Sequence, residues 1–494
     1  MSFLLLPLCA GYGKYSAMEA ILEKILIREI PGCRALQSVE RLSGGASQET
    51  YRLTITVDNG GKNGAEHLLA MRRAPGGKAN SHNSYNPGLA AEALLMQSAR
   101  AVGVPEPEVH YVLKDHDGLG EGFIMSWLEG EALGARIVRS PELAEVRPKL
   151  AFECGQILAR IHRIDLDATG LRAHLKAMSP KTFVHDTWDR YKGFDTPQPM
   201  IDYTARWLLD NLPGDVDLAP GHALVHTLVH NDFRNGNLLI DRNGVVAVLD
   251  WEVAHIGDPM RDLGWICTNS WRFGSDLPVG GFGSYEDLFA GYKSVSGIDI
   301  DRGRVKFWEV FGSFWWAIGC LSMAEHYRTG PDNTVERPAI GRRTSECQVD
   351  CVNLLIPGPV DLVDAAVDGG QTDSGEMPRI EELLISVRDF LRGDVMDATT
   401  ARTNFMARVA GNSLDIVLRD QALGPEHRRL ELERLTALLG SGNLNDLRWR
   451  LTNGLRAGEI ALDQPGLAEH LRQTVVNQIA IDQPKYPGFK TATA

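Results

Sequence analysis

The chain has 494 residues, 44% of them hydrophobic and 23% charged, with a formal net charge of -13. At about 150 residues per domain this length predicts roughly three domains, and the composition is that of a globular protein with ample material for cores. The acidic balance excludes general nucleic-acid affinity, because a polyanion is repelled unless a local basic patch overrides the sum. The arginine pairs Arg72–Arg73, Arg342–Arg343 and Arg428–Arg429 are isolated and make no such patch.

The apolar run Phe3–Ala10 lacks a basic flank and is too short to span a bilayer. The folded part is expected to begin near Met18, with Met1 and Met18 both open as translation starts. Seven cysteines are scattered without a CxxC pair, the pattern of buried free thiols in a reducing, cytoplasmic compartment.

In chain order, an extension and leading helix (1–35) precede a strand-rich unit at 36–128. Thr50–Val57 alternates with period two, Asp58-Asn59-Gly60-Gly61 signals a turn, and His67–Arg72 forms a second strand. Ala90–Val102 is helical, followed by strands near Glu108–Leu113 and Gly122–Trp127. Helices dominate 129–356: Leu150–His162, Val305–Tyr327 and Glu346–Leu355, with a strand-and-loop segment at Leu228–Trp251. Residues 357–378 form a Pro-, Gly- and acid-rich linker. Ile380–Leu391, Thr399–Leu418, His427–Leu438, Leu444–Arg456 and Leu467–Ile481 are the helices expected within a last, all-helical domain at 379–489. A docking role for it, through a partner protein or self-association, is the functional reading of these helices.

The chemistry concentrates in one stretch. His230-Asn231-Asp232-Phe233-Arg234-Asn235-Gly236-Asn237 places a carboxylate two residues after a histidine and an asparagine five residues later. Thirteen residues beyond Asn237, Asp250 ends the apolar strand Val245–Leu249. Phosphoryl transfer needs a positioned hydroxyl and neutralised phosphate charge more than covalent help. Mg2+ takes oxygen ligands of the kind Asn237 and Asp250 offer, and Asp232 can accept a hydrogen bond from an attacking hydroxyl.

The pattern H-x-D-x-x-x-x-N followed by an Asp resembles the catalytic loop and metal-binding Asp of the aminoglycoside phosphotransferase and choline kinase family, which is related to protein kinases. Leu249-Asp250-Trp251-Glu252 through Gly257-Asp258-Pro259 and Asp262-Leu263 is similar to that family's next conserved block. The resemblance, spanning roughly Leu36–Leu355, implies an α+β fold with two kinase-like lobes, a small β-rich one and a mainly helical one, followed by a separate all-α domain. It implies ATP and Mg2+ as cofactors, Asp232 as catalytic base and Asn237 and Asp250 as metal ligands. His230 is expected to brace the loop and Arg234 to lie at the catalytic centre. Asp258 is a natural N-cap, Asp262 a brace for the loop, and Glu252 a candidate for approaching substrate.

By the same resemblance, Ser43, Gly44, Gly45 and Ser47 belong to a nucleotide-covering loop, although a Gly-Gly turn between strands looks the same. Arg72 stands where kinases place a phosphate-binding lysine, and Glu92 is its expected partner. Phe123–Leu128, with Ser126 and Trp127, is similar to the hinge strand whose backbone reads adenine. Arginine in place of lysine changes a point charge into a planar fork. Met71-Arg72-Arg73-Ala74-Pro75 and Glu336–Arg343 resemble the subgroup of such kinases found with acyl-CoA dehydrogenases. That subgroup implies a hydroxyacyl or hydroxyacyl-CoA acceptor, although the acidic chain shows no basic patch for CoA. An aminoglycoside or amino-alcohol kinase suits the acidity better. A non-catalytic, nucleotide-binding relative acting as an interaction module is the alternative from another class. The aromatic series Phe307, Trp308, Phe311, Phe314, Trp315 and Trp316 is either core packing of a long helix or the lining of an acyl pocket.

Overall fold

A computed structural model describes residues 17–42, 48–58, 64–77, 86–214, 227–330, 332–364 and 377–494. Two compact units share the chain: Met1–Ser179 with Asp215–Cys267 and Trp271–Trp308, and Pro180–Gly214 with Thr268–Ser270 and Glu309–Ala494.

The chain opens with α1 (Ala17–Glu29), β1 (Cys33–Arg41), β2 (Glu49–Val57) and β3 (Ala65–Arg73). Then come α2 (Leu89–Ala101), β4 (Val109–Val112), β5 (Gly122–Ser126), α3 (Gly134–Arg139) and α4 (Arg147–Ile161). The strands form one antiparallel sheet in the order β1-β2-β3-β5-β4. Period two along β2 sends Tyr51, Leu53 and Ile55 inward, where they meet Leu22, Ile25 and Leu26 of α1 in a single apolar cluster. Sequence reading missed β1. Its pairing with β2 is broken by irregularities between Cys33 and Ala35 and between Leu36 and Ser38, so its buried residues do not alternate and the strand signal is lost.

α5 (Pro180–Lys192) and α6 (Pro199–Asp210) belong to the second unit. The first unit resumes with β6 (Thr227–Val229), β7 (Leu238–Ile240), β8 (Val245–Val248), β9 (His255–Gly257), α7 (Met260–Cys267) and α8 (Tyr285–Ser296). β6 pairs with β9 and β7 with β8, both antiparallel. α4 lies close against α8 because Gly291 has no side chain: a Cβ there would sit 1.9 Å from the Phe152 carbonyl oxygen.

The remaining helices are α9 (Arg302–Thr329), α10 (Glu336–Arg342), α11 (Thr344–Leu355), α12 (Ile380–Phe390), α13 (Met396–Ala398), α14 (Ala401–Leu439), α15 (Leu444–Ala457), α16 (Leu467–Asp482) and α17 (Pro487–Thr493). The two helices expected at Thr399–Leu418 and His427–Leu438 are one: α14 runs unbroken through Pro425. Proline removes a single donor from the ladder, and this helix carries on past it rather than ending. In the aromatic series, Phe307, Trp308, Phe311 and Phe314 are buried, and Phe311 stacks on Phe183 with centroids 4.7 Å apart. Packing accounts for these four. Cys33, Cys154, Cys267, Cys320, Cys347 and Cys351 are buried free thiols. Among the described residues no helix is long and apolar enough to cross a membrane.

Candidate active site

The loop between β6 and β7 carries the chemical residues, and its backbone is unusual. Asn231 has φ 68° and Gly236 φ 102°, and Asp250, just beyond β8, has φ 72°. A left-handed conformation costs a non-glycine residue free energy, so the surroundings must hold it in place. Asp262 on α7 does much of that. Its carboxylate accepts the backbone N–H of His230 at 2.8 Å and of Asn231 at 2.7 Å, and it sits 3.1 Å from Nε2 of His162. Burial opposes ionisation of Asp262, but the His162 hydrogen bond and nearby imidazoles hold it below the usual carboxylate range. Arg261 donates from Nε to the Asn231 side chain at 2.9 Å, and burial lowers its guanidinium to about 9.

Asp232 projects from this loop into a ring of donors. Arg234 gives it two hydrogen bonds, at 2.9 and 3.2 Å, Trp265 Nε1 a third at 2.8 Å and Asn237 Nδ2 a fourth at 2.6 Å. The Arg234 guanidinium also lies 4.2 Å over the Trp271 ring. His230 is fully buried, 4.4 Å from the Trp251 ring, and takes the Asp232 N–H on Nδ1 at 3.2 Å. Burial lowers its pKa, so it acts as a neutral brace.

The β7–β8 pairing delivers the second acid. Leu249 N–H donates to Asn237 C=O at 2.8 Å, which sets Asp250 beside the loop. Arg72 on β3 reaches Asp250 at 2.6 Å, Glu92 on α2 at 2.9 Å and Glu252 at 3.9 Å. Burial works against the Asp250 carboxylate, yet Arg72 keeps its pKa below the ordinary value. Glu92 is buried more completely, and desolvation lifts its carboxyl to about 7 despite Arg72.

The structure thus brings together Asp232, Asn237, Asp250, His230, Arg234, Arg72 and Glu92. Ser126 and Trp127 stand at the other end of the β3–β5 pairing, where Leu69 faces Ser126 while Arg72 faces Phe123. Ser126 Oγ is bonded to His110 at 2.9 Å and Trp127 Nε1 to Glu129 at 2.6 Å. Ser43, Gly44, Gly45 and Ser47 lie outside the described residues. Asp258 caps α7 by accepting Met260 N–H at 3.0 Å, and its other oxygen takes Arg304 and Trp308. Trp265 and Arg261 were missed by sequence reading. Their only local signal is a place one turn or less from Asp262 on a short helix.

With Nδ2 of Asn237 committed to Asp232, its amide oxygen is left as a hard oxygen donor in the same cluster as the Asp250 carboxylate. That donor set fits Mg2+, which binds one or two protein oxygens and completes its shell with phosphates and water.

An antiparallel five-stranded sheet followed by a mainly helical region, with Asp232 on the loop between β6 and β7, is a kinase-like fold. A solved chain from Ralstonia eutropha, named after the aminoglycoside phosphotransferases, shares it with a TM-score of 0.52 at 23% identity, covering 67% of this chain and 95% of that one. Residues 38–308, more than half of the chain, match the phosphotransferase enzyme family, and the protein belongs to that family. Residues 397–486 match a domain of unknown function, DUF6285. The chain is similar to acyl-CoA dehydrogenase family member 11 of Gallus gallus, 28% identical over 322 residues, which are 60% of this chain and 38% of that protein. It is also similar to member 10 of Mus musculus, 29% identical over 246 residues, 48% of this chain and 20% of that one. It spans well under half the length of either relative.

Proposed function

We propose that this phosphotransferase moves the γ-phosphoryl group of ATP, held with Mg2+, to a hydroxyl group of a small molecule. The observation that carries the reading is the convergence of Asp232, Asn237 and Asp250 on one loop-and-strand junction, with Arg72 bridging Asp250 to Glu92. Asp232 orients the acceptor hydroxyl and takes its proton as the new O–P bond forms and the bond to the ADP oxygen breaks. Asn237 and Asp250 would hold the metal, which when bound neutralises phosphate charge. Arg72 would meet the phosphates while Glu92 fixes its direction. The four donors on Asp232 keep it a poised acceptor, and Arg234 is the one that must yield its place to the incoming hydroxyl.

The acceptor we favour is a hydroxyacyl compound. Similarity to the two acyl-CoA dehydrogenase family members supports this. A partner-docking role for the C-terminal helices draws support from α12, whose Ile380, Leu383, Val387 and Phe390 stand exposed at a three-then-four spacing.

Asp232→Ala is expected to lower phosphoryl transfer about 10²–10⁴-fold while the melting shift on adding ATP with Mg2+ persists. A screen of hydroxyacyl-CoAs, amino alcohols and aminoglycosides supplies the acceptor. Wild-type turnover in the Asp232→Ala protein would refute the catalytic assignment, and a nucleotide-induced shift with no turnover in either protein would favour the non-catalytic reading.

A further inference from the structure

The second unit contains a cavity of about 220 Å³ built wholly from its own residues. α16 explains why. Leu471, Val475, Val476 and Ile479 join the apolar core, but the helix also carries a polar row at four-residue spacing: His470, Thr474, Gln478 and Asp482. Residues four apart share a helix face, so the row runs along one side of the cavity. His427 and Glu431 of α14, again four apart, and Thr344 and Gln348 of α11 face it. His427, Glu431, His470 and Asp482 are each only 2% exposed.

Three polar atoms around this void have no partner: Nδ1 of His427, Nδ1 of His470 and Oγ1 of Thr344. Buried polar groups are nearly always satisfied, and three orphans lining one cavity point to an occupant with polar groups of its own. From this geometry we infer that the second unit holds a binding site for a small, uncharged, hydroxyl-rich molecule, the size of a simple polyol.

The lining decides the class. Each carboxylate is matched by a guanidinium: Arg448 grips Glu431 through Nε at 2.7 Å and through Nη2, and Arg342 faces Asp482 at 3.6 Å. Burial lowers both imidazoles to about 4, so they add no charge near neutrality, and the cavity offers none to an ion. Gln348 gives its Nε2 to Gln198 and Gln478 gives its own to Asp482. Their amide oxygens are then the atoms left to accept, so the occupant must bring donors. Hydroxyls both donate and accept, as the two Nδ1 atoms and Thr344 require. No Phe, Tyr or Trp lines the void, which leaves nothing for a nucleobase to stack on.

The test uses the full chain. Ligand-observed saturation-transfer NMR with glycerol, erythritol and myo-inositol, and 31P titration with inorganic phosphate, are run near pH 6 and near pH 8. At least one polyol binds, with affinities within twofold at the two pH values, and Thr344→Val and His470→Leu each weaken it tenfold or more. Thr344→Val is nearly isosteric and keeps the test decisive if His470→Leu fails to fold. No polyol binding, equal binding by wild type and Thr344→Val, or phosphate binding that strengthens toward pH 6 would each overturn the inference. So would a crystal structure in which water alone bridges the three groups.

Discussion

At the scale of single residues, Arg72 is the pivot of the candidate site. One guanidinium faces three carboxylates, those of Glu92, Asp250 and Glu252. Burial, reinforced by the neighbouring Asp250 and Glu252 charges, is why the Glu92 carboxyl is pushed up to about 7 from its ordinary 4.5. A carboxyl whose folded pKa is raised contributes stability below its unfolded pKa and loses it as pH climbs through the folded value. Wild type should therefore lose up to about 3 kcal/mol relative to Glu92→Gln between about pH 4.5 and 7. Urea midpoints of the two proteins near pH 5 and pH 8 measure it. A gap independent of pH would mean that Glu92 is ionised throughout. Asp232, Asn237 and Asp250 were legible because their spacing is local chemistry within one loop and the strand behind it. Trp265, bonded to Asp232 from 33 residues away, was not, because only the completed fold makes that contact.

At the scale of elements, α7 is what makes the loop carrying Asp232 a fixed object. Asp262 satisfies two backbone donors and one imidazole in a fully buried place. Removing it leaves His230 and Asn231 N–H groups orphaned beneath a loop already in a left-handed conformation. Asp262→Ala is expected to cost about 3–5 kcal/mol and to take activity with it. Asp232→Ala, whose partly exposed carboxylate holds side chains rather than the loop backbone, should melt closer to wild type than Asp262→Ala does. Differential scanning calorimetry of the pair separates the two roles, and an Asp262→Ala protein that melts with wild type would show the loop to be held elsewhere. Sequence periodicity found β2 and α4 because each buries one regular face. It failed at β1, where irregular pairing scrambles the alternation, and at α14, where Pro425 lies within a helix that tertiary packing keeps continuous.

At the scale of the whole chain, helices are visible in sequence but the core each one joins is not, since that depends on partners hundreds of residues away. Met200 and Tyr203 of α6 and Val349, Cys351 and Val352 of α11, with Ile356 just beyond it, share one buried cluster with Leu435, Leu447, Leu451, Leu455, Leu471 and Val476. Polar ties follow the same line: Arg456 bonds Asp202 at 2.9 Å, Arg472 the Ile356 carbonyl at 3.0 Å, and Asn353 the Gly488 carbonyl at 2.8 Å. Ending the chain at Pro378 strips this cover from six apolar side chains, at about 2 kcal/mol each, and leaves the buried Asp202 carboxylate without its arginine. A loss of about 10 kcal/mol matches the whole stability of an ordinary domain. The shortened protein should therefore be largely insoluble, or soluble only with the amides of α6 and α11 exchanging freely in hydrogen-exchange mass spectrometry. Full protection of those two helices in a soluble fragment ending at Pro378 would show that they fold without the C-terminal region, and the shared core would then be an accessory to the second unit rather than its foundation.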